Sequence, residues 1–312
     1  MPRVSVVVTT YNRAGLLKET LSSILSQTFT NFELIIVDNM STDGTGAYVV
    51  SIDDGRIRYF KNPNNGVIAV NRNFGISRAR GVYIAFCDDD DLWEPDKLKA
   101  QTAFMEANPE VILSFGYARD FYDSDGGRLD GTLKFSKAEC DSKNSFESLL
   151  SGNAVATLTV MVRKAGLEDA GIFDEDPALM TVEDYDLWLR MARGGAIACI
   201  PRLLGRYRLH SLSASGNEAS QKKRLLAIVE KFKDNGWLDA ILAKKFEAHV
   251  CWMIGNAALG ARDSGYRQWY RKAFGLDISA KTLLGAFFCL LPFFMANAAY
   301  RLLKWFKSRR LA

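Results

Sequence analysis

Near the start of the chain, Val4-Ser5-Val6-Val7-Val8-Thr9-Thr10 forms a largely β-branched and almost wholly apolar run. A run with no polar face fits a central parallel strand covered on both sides, which commits the chain to helices packed over a sheet. The next stretches have that form. Tyr11-Asn12-Arg13 turns the chain, and residues 14–27 carry helical spacing at Leu17, Leu21, Ile24 and Leu25. Residues 32–37 read as a second strand, and Asp38-Asn39-Met40-Ser41-Thr42-Asp43-Gly44-Thr45 offers side chains suited to capping the next helix. A third strand at 57–60, a loop at 62–66, a helix over 67–80 ended by Gly81, and a fourth strand at 82–87 follow. Strands alternating with helices at this spacing predict a mostly parallel α/β sheet.

The fourth strand runs into Asp88-Asp89-Asp90-Asp91. Four adjacent carboxylates repel one another, and a hard divalent cation such as Mg²⁺ or Mn²⁺ offsets that repulsion well. The alternative is a solvated acidic turn ahead of the helix that Pro95 begins. In parallel sheets ligands gather beyond the carboxyl ends of the strands. Four polar loops end there, at 9–13, 38–42, 62–66 and 88–91, and their convergence favours the metal reading.

After a helix to residue 107 the pattern becomes mixed. Residues 111–122 read as a long strand, Asp123-Ser124-Asp125-Gly126-Gly127 as a turn, 131–135 as a return strand, 145–150 as a short helix and 155–162 as another strand. The helix over 182–193 places Leu187, Trp188 and Met191 on one face, with Glu183, Asp184 and Asp186 in its first turn. Complementing the helix dipole accounts for Glu183 and Asp186. Asp184 projects from the buried face, and an inward carboxylate needs a partner or a task. Short strands at 197–200 and 203–209 lead to a loop at 210–216, beyond which the pattern is helical at 220–233, 238–259 and 266–274.

Together these motifs resemble the inverting family 2 glycosyltransferases with the GT-A fold. Val4 to Arg13 is similar to their opening strand, and Asp38 to Thr45 to their second-strand motif. Asn71-Arg72-Asn73-Phe74-Gly75 resembles their Ala-Arg-Asn-x-Gly helix, Asp88 to Asp91 contains their Asp-x-Asp, and Glu183 to Arg190 is like their Glu-Asp helix. The resemblance covers residues 1 to about 215. It implies a mostly parallel, Rossmann-like sheet flanked by helices over 1–216, with a nucleotide-sugar-binding half at 1–110, a mixed acceptor half at 111–216, and a helical extension at 217–312. Thr9, Tyr11, Asp38, Asn39 and Arg72 would hold the base and ribose of a UDP-, dTDP- or GDP-sugar, with Asp88 and Asp89 also on the donor. Asp90 would be the firmest ligand of Mn²⁺ or Mg²⁺, with Asp88 and His210 beside it, while Asp89, Asp91 and Glu183 lend charge and Arg206 and Arg208 assist at the phosphates. The cation neutralises the departing diphosphate. Asp184 would take the proton of the acceptor hydroxyl, and a single inverting displacement needs no enzyme nucleophile. Two departures stand out: Asn39 where the family often has Asp, and Val70-Asn71 where small residues are usual. A sugar-1-phosphate nucleotidyltransferase would need a Gly-rich phosphate loop at Tyr11-Asn12-Arg13, and a dehydrogenase a Gly-x-Gly-x-x-Gly there. A non-catalytic nucleotide-sugar-binding scaffold is the remaining alternative.

Charge separates the tail from the body. Of the overall +4, residues 270–312 contribute +7, so residues 1–269 stand at −3. That excludes a general nucleic-acid binder and directs the tail alone to an anionic surface. Thr282 to Tyr300 carries no charge, and as one straight helix it would measure about 29 Å. Pro292 interrupts it, and Arg301, Lys304, Lys307, Arg309 and Arg310 follow. A helix, or a pair broken at Pro292, lying on the inner face of the cytoplasmic membrane satisfies both features and predicts peripheral attachment, the alternative being a buried helix packed on the body. Such attachment suits a saccharide acceptor linked to lipid. The five cysteines are scattered and read as reduced thiols in a cytosolic protein, and no segment reads as a signal peptide.

Overall fold

A computed structural model describes residues 1–124, 127–133, 140, 145–210 and 218–310, with the side chains beyond Lys304 outside the description. The turn at 125–126, residues 134–135 of the return strand and the loop at 211–216 therefore lie outside the described residues. The chain forms two compact units, Met1–Pro177 with Glu183–His210, and Ala178–Val182 with Ser211–Ala312.

The first unit is built on β1 (Val4–Thr10), in which every residue is buried. It pairs in parallel with β2 (Phe32–Asp38) and with β4 (Tyr83–Asp88), and β2 pairs in parallel with β3 (Ile57–Lys61). The register sets Thr10 opposite Asp38 and Thr9 opposite Asp88, so the polar ends of three strands lie in one row. Helix α1 (Ala14–Leu25) buries Leu17, Leu21 and Ile24 in the core with Val4, Val6 and Val8, as its spacing requires. Helix α2 (Thr45–Val50) follows β2. Helix α3 (Ile68–Arg78) lies close against β1: a Cβ added to Gly75 would sit 2.5 Å from Val7 Cγ1.

The second half is mixed. After β5 (Leu92–Trp93) and α4 (Lys97–Ala107) come the long β6 (Val111–Ser124), β7 (Gly127–Leu133) and α5 (Phe146–Leu149). Then follow β8 (Met161–Arg163), α6 (Lys164–Ala170), α7 (Glu183–Gly194) and β9 (Ala196–Arg208). Among the described residues the sheet order is β3-β2-β1-β4-β8-β6-β9-β5, with β7 beside β6. Strand β8 is antiparallel to both β4 and β6, β9 is parallel to β6, and β5 is antiparallel to β9.

Three local expectations are corrected. The stretch 155–162 is not one strand: Thr157–Thr159 makes a 3₁₀ turn, closed by Thr159 N and Oγ1 both donating to Ala156 O at 2.8 Å, before β8 begins. Such local side-chain bonds compete with the ladder that β-branched composition suggests. The two short strands after residue 196 are one, whose register against β6 slips around Pro201, a residue with no N–H to give the ladder. The return strand β7 begins at Gly127, four residues earlier than its pattern suggested.

The thiols are corrected too: Cys140 is bonded to Cys199, with Cα atoms 5.4 Å apart, leaving Cys87 and Cys251 as buried thiols and Cys289 partly buried. The partners are 59 residues apart and meet through the tertiary fold, which spacing along the chain does not disclose.

The second unit contains α8 (Glu218–Asp234), α9 (Ala240–Gly260), α10 (Tyr266–Leu276), α11 (Ala280–Leu290) and α12 (Phe293–Arg310). Residues 178–182 join it because Thr181 and Met180 carbonyls accept from Gln221 Nε2 at 3.0 Å and Arg224 Nη1 at 2.7 Å. Its core gathers Ala258, Leu259, Tyr266, Tyr270, Phe288 and Ala296. The uncharged stretch is broken at Pro292 into α11 and α12, and no described helix is long and apolar enough to cross a membrane.

Candidate active site

The acidic run leaves β4 at the end of the row made by Thr9, Thr10 and Asp38. The pairing of β5 with β9, Leu92 opposite Arg206 and Trp93 opposite Gly205, then lays the end of β9 beside it. Arg208 N donates to Asp91 Oδ1 at 2.9 Å, Arg208 Nε donates to the Asp90 carbonyl at 2.8 Å, and His210 Nε2 lies 2.9 Å from Asp90 Oδ2. From the other side Arg13 Nη1 donates to Asp89 Oδ1 at 2.9 Å and to Asp90 Oδ2 at 2.8 Å. Burial pushes the Asp89 carboxyl up to about 6 against the pull of Arg13. Burial, and then Asp91 and Asp88, push the Cys87 thiol well up, which suppresses thiolate and leaves it a packing residue.

The donor-side loops are laced together. Asn12 N donates to Ser41 Oγ at 2.8 Å, Asn12 Oδ1 accepts from Thr42 N at 2.8 Å, and Ala14 N donates to Asp43 Oδ2 at 2.9 Å. Asp38 is fully buried and holds this loop: Oδ1 accepts from Ser41 N at 2.9 Å and Ser41 Oγ at 2.5 Å, and Oδ2 from the Tyr59 hydroxyl at 2.5 Å. Asn39 Oδ1 accepts from Asn64 N at 2.9 Å, tying the 62–66 loop to the same edge. Thr9 is buried, whereas the Tyr11 ring stands open at 54% exposure.

Arg72 joins the two halves of the first unit. Its Nη2 donates to Asp88 Oδ1 at 2.8 Å and its Nη1 to Glu183 Oε1 at 2.6 Å, while the guanidinium lies 5.3 Å from the Phe173 ring centroid. The neighbouring Asn73 fixes that ring, with Nδ2 donating to Phe173 O at 2.8 Å and Oδ1 accepting from Phe173 N at 3.0 Å. Phe173 packs between Phe86 of β4 and Trp188 of α7, at 5.3 and 5.8 Å between centroids. Aromatic burial of this kind is a large share of packing energy, and here it seats α7 against the strand that ends in the acidic run.

Asp184 stands in the first turn of α7, half-buried. Thr157 Oγ1 donates to its Oδ2 at 2.7 Å and Tyr185 N to its Oδ1 at 2.6 Å. Burial raises its carboxyl above the ordinary value, opposed first by Arg72 and then by the Thr157 bond. Glu183 is raised by burial as well, with Arg72 opposing. The dipole account of Glu183 and Asp186 is therefore incomplete: Glu183 is an ion-pair partner of Arg72, and buried Asp186 pairs with Arg190 Nε at 2.9 Å.

Asp88, Asp89, Asp90, Asp91, Arg72, Glu183, Arg208 and His210 are thus brought together. Several of these side chains also have partners within the protein. Arg206 pairs with Glu94 at 2.8 Å and Asp130 at 3.1 Å, and buried Arg208 pairs with Asp123 and Glu19, so both cations are matched by protein carboxylates. Arg208 also ties the end of β9 to the acidic run through Asp90 O and Asp91 Oδ1. Asp38 has both oxygens engaged within the protein, and Arg72 is committed to Asp88 and Glu183. Sequence reasoning missed Arg13 and Thr157. Arg13 lay in the turn after β1, where the sequence does not disclose which distant side chains it meets, while Thr157 lay inside an apparent strand.

Among the described residues no three His, Cys, Asp or Glu side chains converge to hold a metal. The pair that exists still fits one. Asp90 Oδ2 and His210 Nε2 are 2.9 Å apart, close to the ~3 Å separation of adjacent ligands around an octahedral ion with ~2.1 Å bonds. A carboxylate and an imidazole suit a cation that completes its shell with water and substrate phosphate. Asp88 Oδ1 and Asp90 Oδ2 each accept from an arginine at 2.8 Å, Arg72 and Arg13 respectively, and His210 stands beside Asp90.

Comparison with known proteins accords with this geometry. Residues 5–165 match the model of the family described as Glycosyl transferase family 2. The chain is 33% identical over 226 residues to the putative teichuronic acid biosynthesis glycosyltransferase TuaG of Bacillus subtilis, covering 72% of this chain and 85% of that protein. It is 29% identical over 234 residues to the UDP-Glc:alpha-D-GlcNAc-diphosphoundecaprenol beta-1,3-glucosyltransferase WfgD of Escherichia coli, covering 74% and 87%. Its fold is similar to the solved structure of the mannosyltransferase PcManGT from Pyrobaculum calidifontis in complex with GDP-Man and Mn²⁺. The TM-score there is 0.63 at 19% identity, over 96% of this chain and 87% of that one.

Proposed function

The chain belongs to glycosyl transferase family 2 and is a glycosyltransferase of GT-A fold, and from that premise we propose that it transfers a sugar with inversion from a nucleotide-sugar to a saccharide hydroxyl. The observation that carries the reading is the pair of ion pairs from Arg72 to Asp88 and Glu183, which sets the acidic run and the first turn of α7 on one guanidinium. Donor chemistry and acceptor chemistry need to meet at such a place.

In this reading the nucleotide lies along the loops that follow β1, β2 and β3, with Tyr11 open to it and Thr9, Asp38, Asn39 and Arg72 shaping its pocket. Asp88 and Asp89 face the donor. Asp90 and His210 would hold Mn²⁺ or Mg²⁺, which when bound offsets the charge growing on the leaving diphosphate. Asp184 accepts the proton of the acceptor hydroxyl as that oxygen bonds to the anomeric carbon and the bond from that carbon to the diphosphate oxygen breaks. Its raised carboxyl makes it a stronger base than an exposed aspartate, and Thr157 keeps it aimed.

The acceptor is proposed to be a lipid-linked saccharide in cell-surface polysaccharide synthesis, in line with the diphosphoundecaprenol-linked acceptor of WfgD and the teichuronic acid biosynthesis for which TuaG is named. A surface of the second unit supports attachment to the inner face of the cytoplasmic membrane. Leu283, Phe287 and Leu290 of α11 and Phe294 and Leu302 of α12 are exposed, as are Lys281, Arg301 and Lys304 close by in sequence. Apolar side chains beside cations are the pattern of an interfacial helix on anionic lipid.

A thermal-shift panel of UDP-, dTDP- and GDP-sugars with and without Mn²⁺ tests the function. One nucleotide class should raise the melting temperature in a Mn²⁺-dependent way. No shift with any of them contradicts the reading.

A further inference from the structure

Arg13 ends the loop after β1, and no motif assigns it a task. Its Nη1 donates to Asp89 Oδ1 at 2.9 Å and to Asp90 Oδ2 at 2.8 Å, and Asp90 Oδ2 is also the oxygen 2.9 Å from His210 Nε2. The guanidinium therefore stands at the oxygen that the cation of the proposed reaction needs. Two cations at one carboxylate oxygen repel, so either Arg13 or the metal holds Asp90.

The geometry points to Arg13 as a positioning residue that holds Asp90 while no donor is bound and cedes it to the metal when the donor diphosphate arrives. This rests on the metal-dependent reading above. Asp89 is buried, so it keeps hold of the guanidinium when Asp90 is released. The Arg13 side chain retains 24% exposure, which leaves it room to turn onto the diphosphate. A guanidinium suits this exchange, since its fork of donors fits carboxylate and phosphate alike. The consequence is coupling: the metal binds weakly alone and strongly with nucleoside diphosphate, and the diphosphate gains equally from the metal.

The test is titration of the full chain with Mn²⁺, reading unbound Mn²⁺ by electron paramagnetic resonance, alone and with UDP or GDP. Wild type should bind Mn²⁺ at least about tenfold more tightly when nucleoside diphosphate is present. Arg13→Met should bind Mn²⁺ alone about tenfold more tightly than wild type and lose most of the gain from the diphosphate. Arg13→Lys keeps a charge for Asp89 without the fork, so its affinity for Mn²⁺ alone should fall between the two. It carries the test by the same criterion if the Met variant does not show a native melting curve. Affinity for Mn²⁺ alone that is unchanged or weaker in these variants, while wild type still binds Mn²⁺ with diphosphate, overturns the role of Arg13 only. Wild type that binds no Mn²⁺ in either condition overturns the metal-dependent reading, and this inference with it.

Discussion

Asp184 illustrates how two neighbours set one proton affinity. Burial raises its carboxyl, Arg72 opposes that, and Thr157 donates a hydrogen bond that favours the ionised form. A base must be ionised to work, so transfer should fall on acidification through this raised value, above the ordinary aspartate range near ~3.9. Removing the Thr157 bond disfavours the carboxylate and raises the value further. Thr157→Val should therefore move the acid limb of the kcat profile upward, with a small change on the high-pH plateau. A pH–rate profile of the two proteins checks this, and an unmoved acid limb contradicts the bond's role.

Helix α3 shows what an element contributes. Gly75 lets it lie against Val7 of β1, which helps bring Arg72 to the sheet's carboxyl edge and Asn73 to Phe173. Gly75→Ala would put a methyl 2.5 Å from Val7 Cγ1, forcing the helix outward at a cost of about 1–3 kcal/mol. Denaturant unfolding measures the loss, and the ion pair of Arg72 with Asp88 should loosen with it. An unchanged midpoint would mean that Val7 yields without moving the helix. The parallel half of the sheet was legible because β1, β2 and β4 are buried on both faces and its helices repeat at 3.6 residues. The acidic run and Asp184 were legible because unbalanced charge beside apolar sequence demands an explanation. The turn at Thr157 was not, since β-branched composition looks alike in a strand and in a 3₁₀ turn closed by its own hydroxyls. Arg13 and the bond of Cys140 to Cys199 were hidden for another reason: each depends on which distant loops the tertiary fold brings together.

Across the whole molecule, charge is divided between the basic tail and the mildly acidic body. The second unit carries the exposed Leu283, Phe287, Leu290 and Phe294 with cations close by in sequence. The full chain should sediment with vesicles containing anionic phospholipid and much less with neutral ones. Phe287→Asp combined with Leu290→Asp should lower that binding by about tenfold or more, as burying either side chain contributes about 1.5–3 kcal/mol. Equal sedimentation of the double variant would assign the surface another use. In the proposed reaction the donor edge of the sheet and the first turn of α7 form one reaction centre in the first unit, with Asp184 as the base. The most direct test is Asp184→Asn, with transfer and nucleoside-diphosphate binding measured in parallel in the presence of Mn²⁺. Transfer should fall by at least about a hundredfold while binding stays near the wild-type level. Transfer at the wild-type rate by the Asp184→Asn protein would contradict the account.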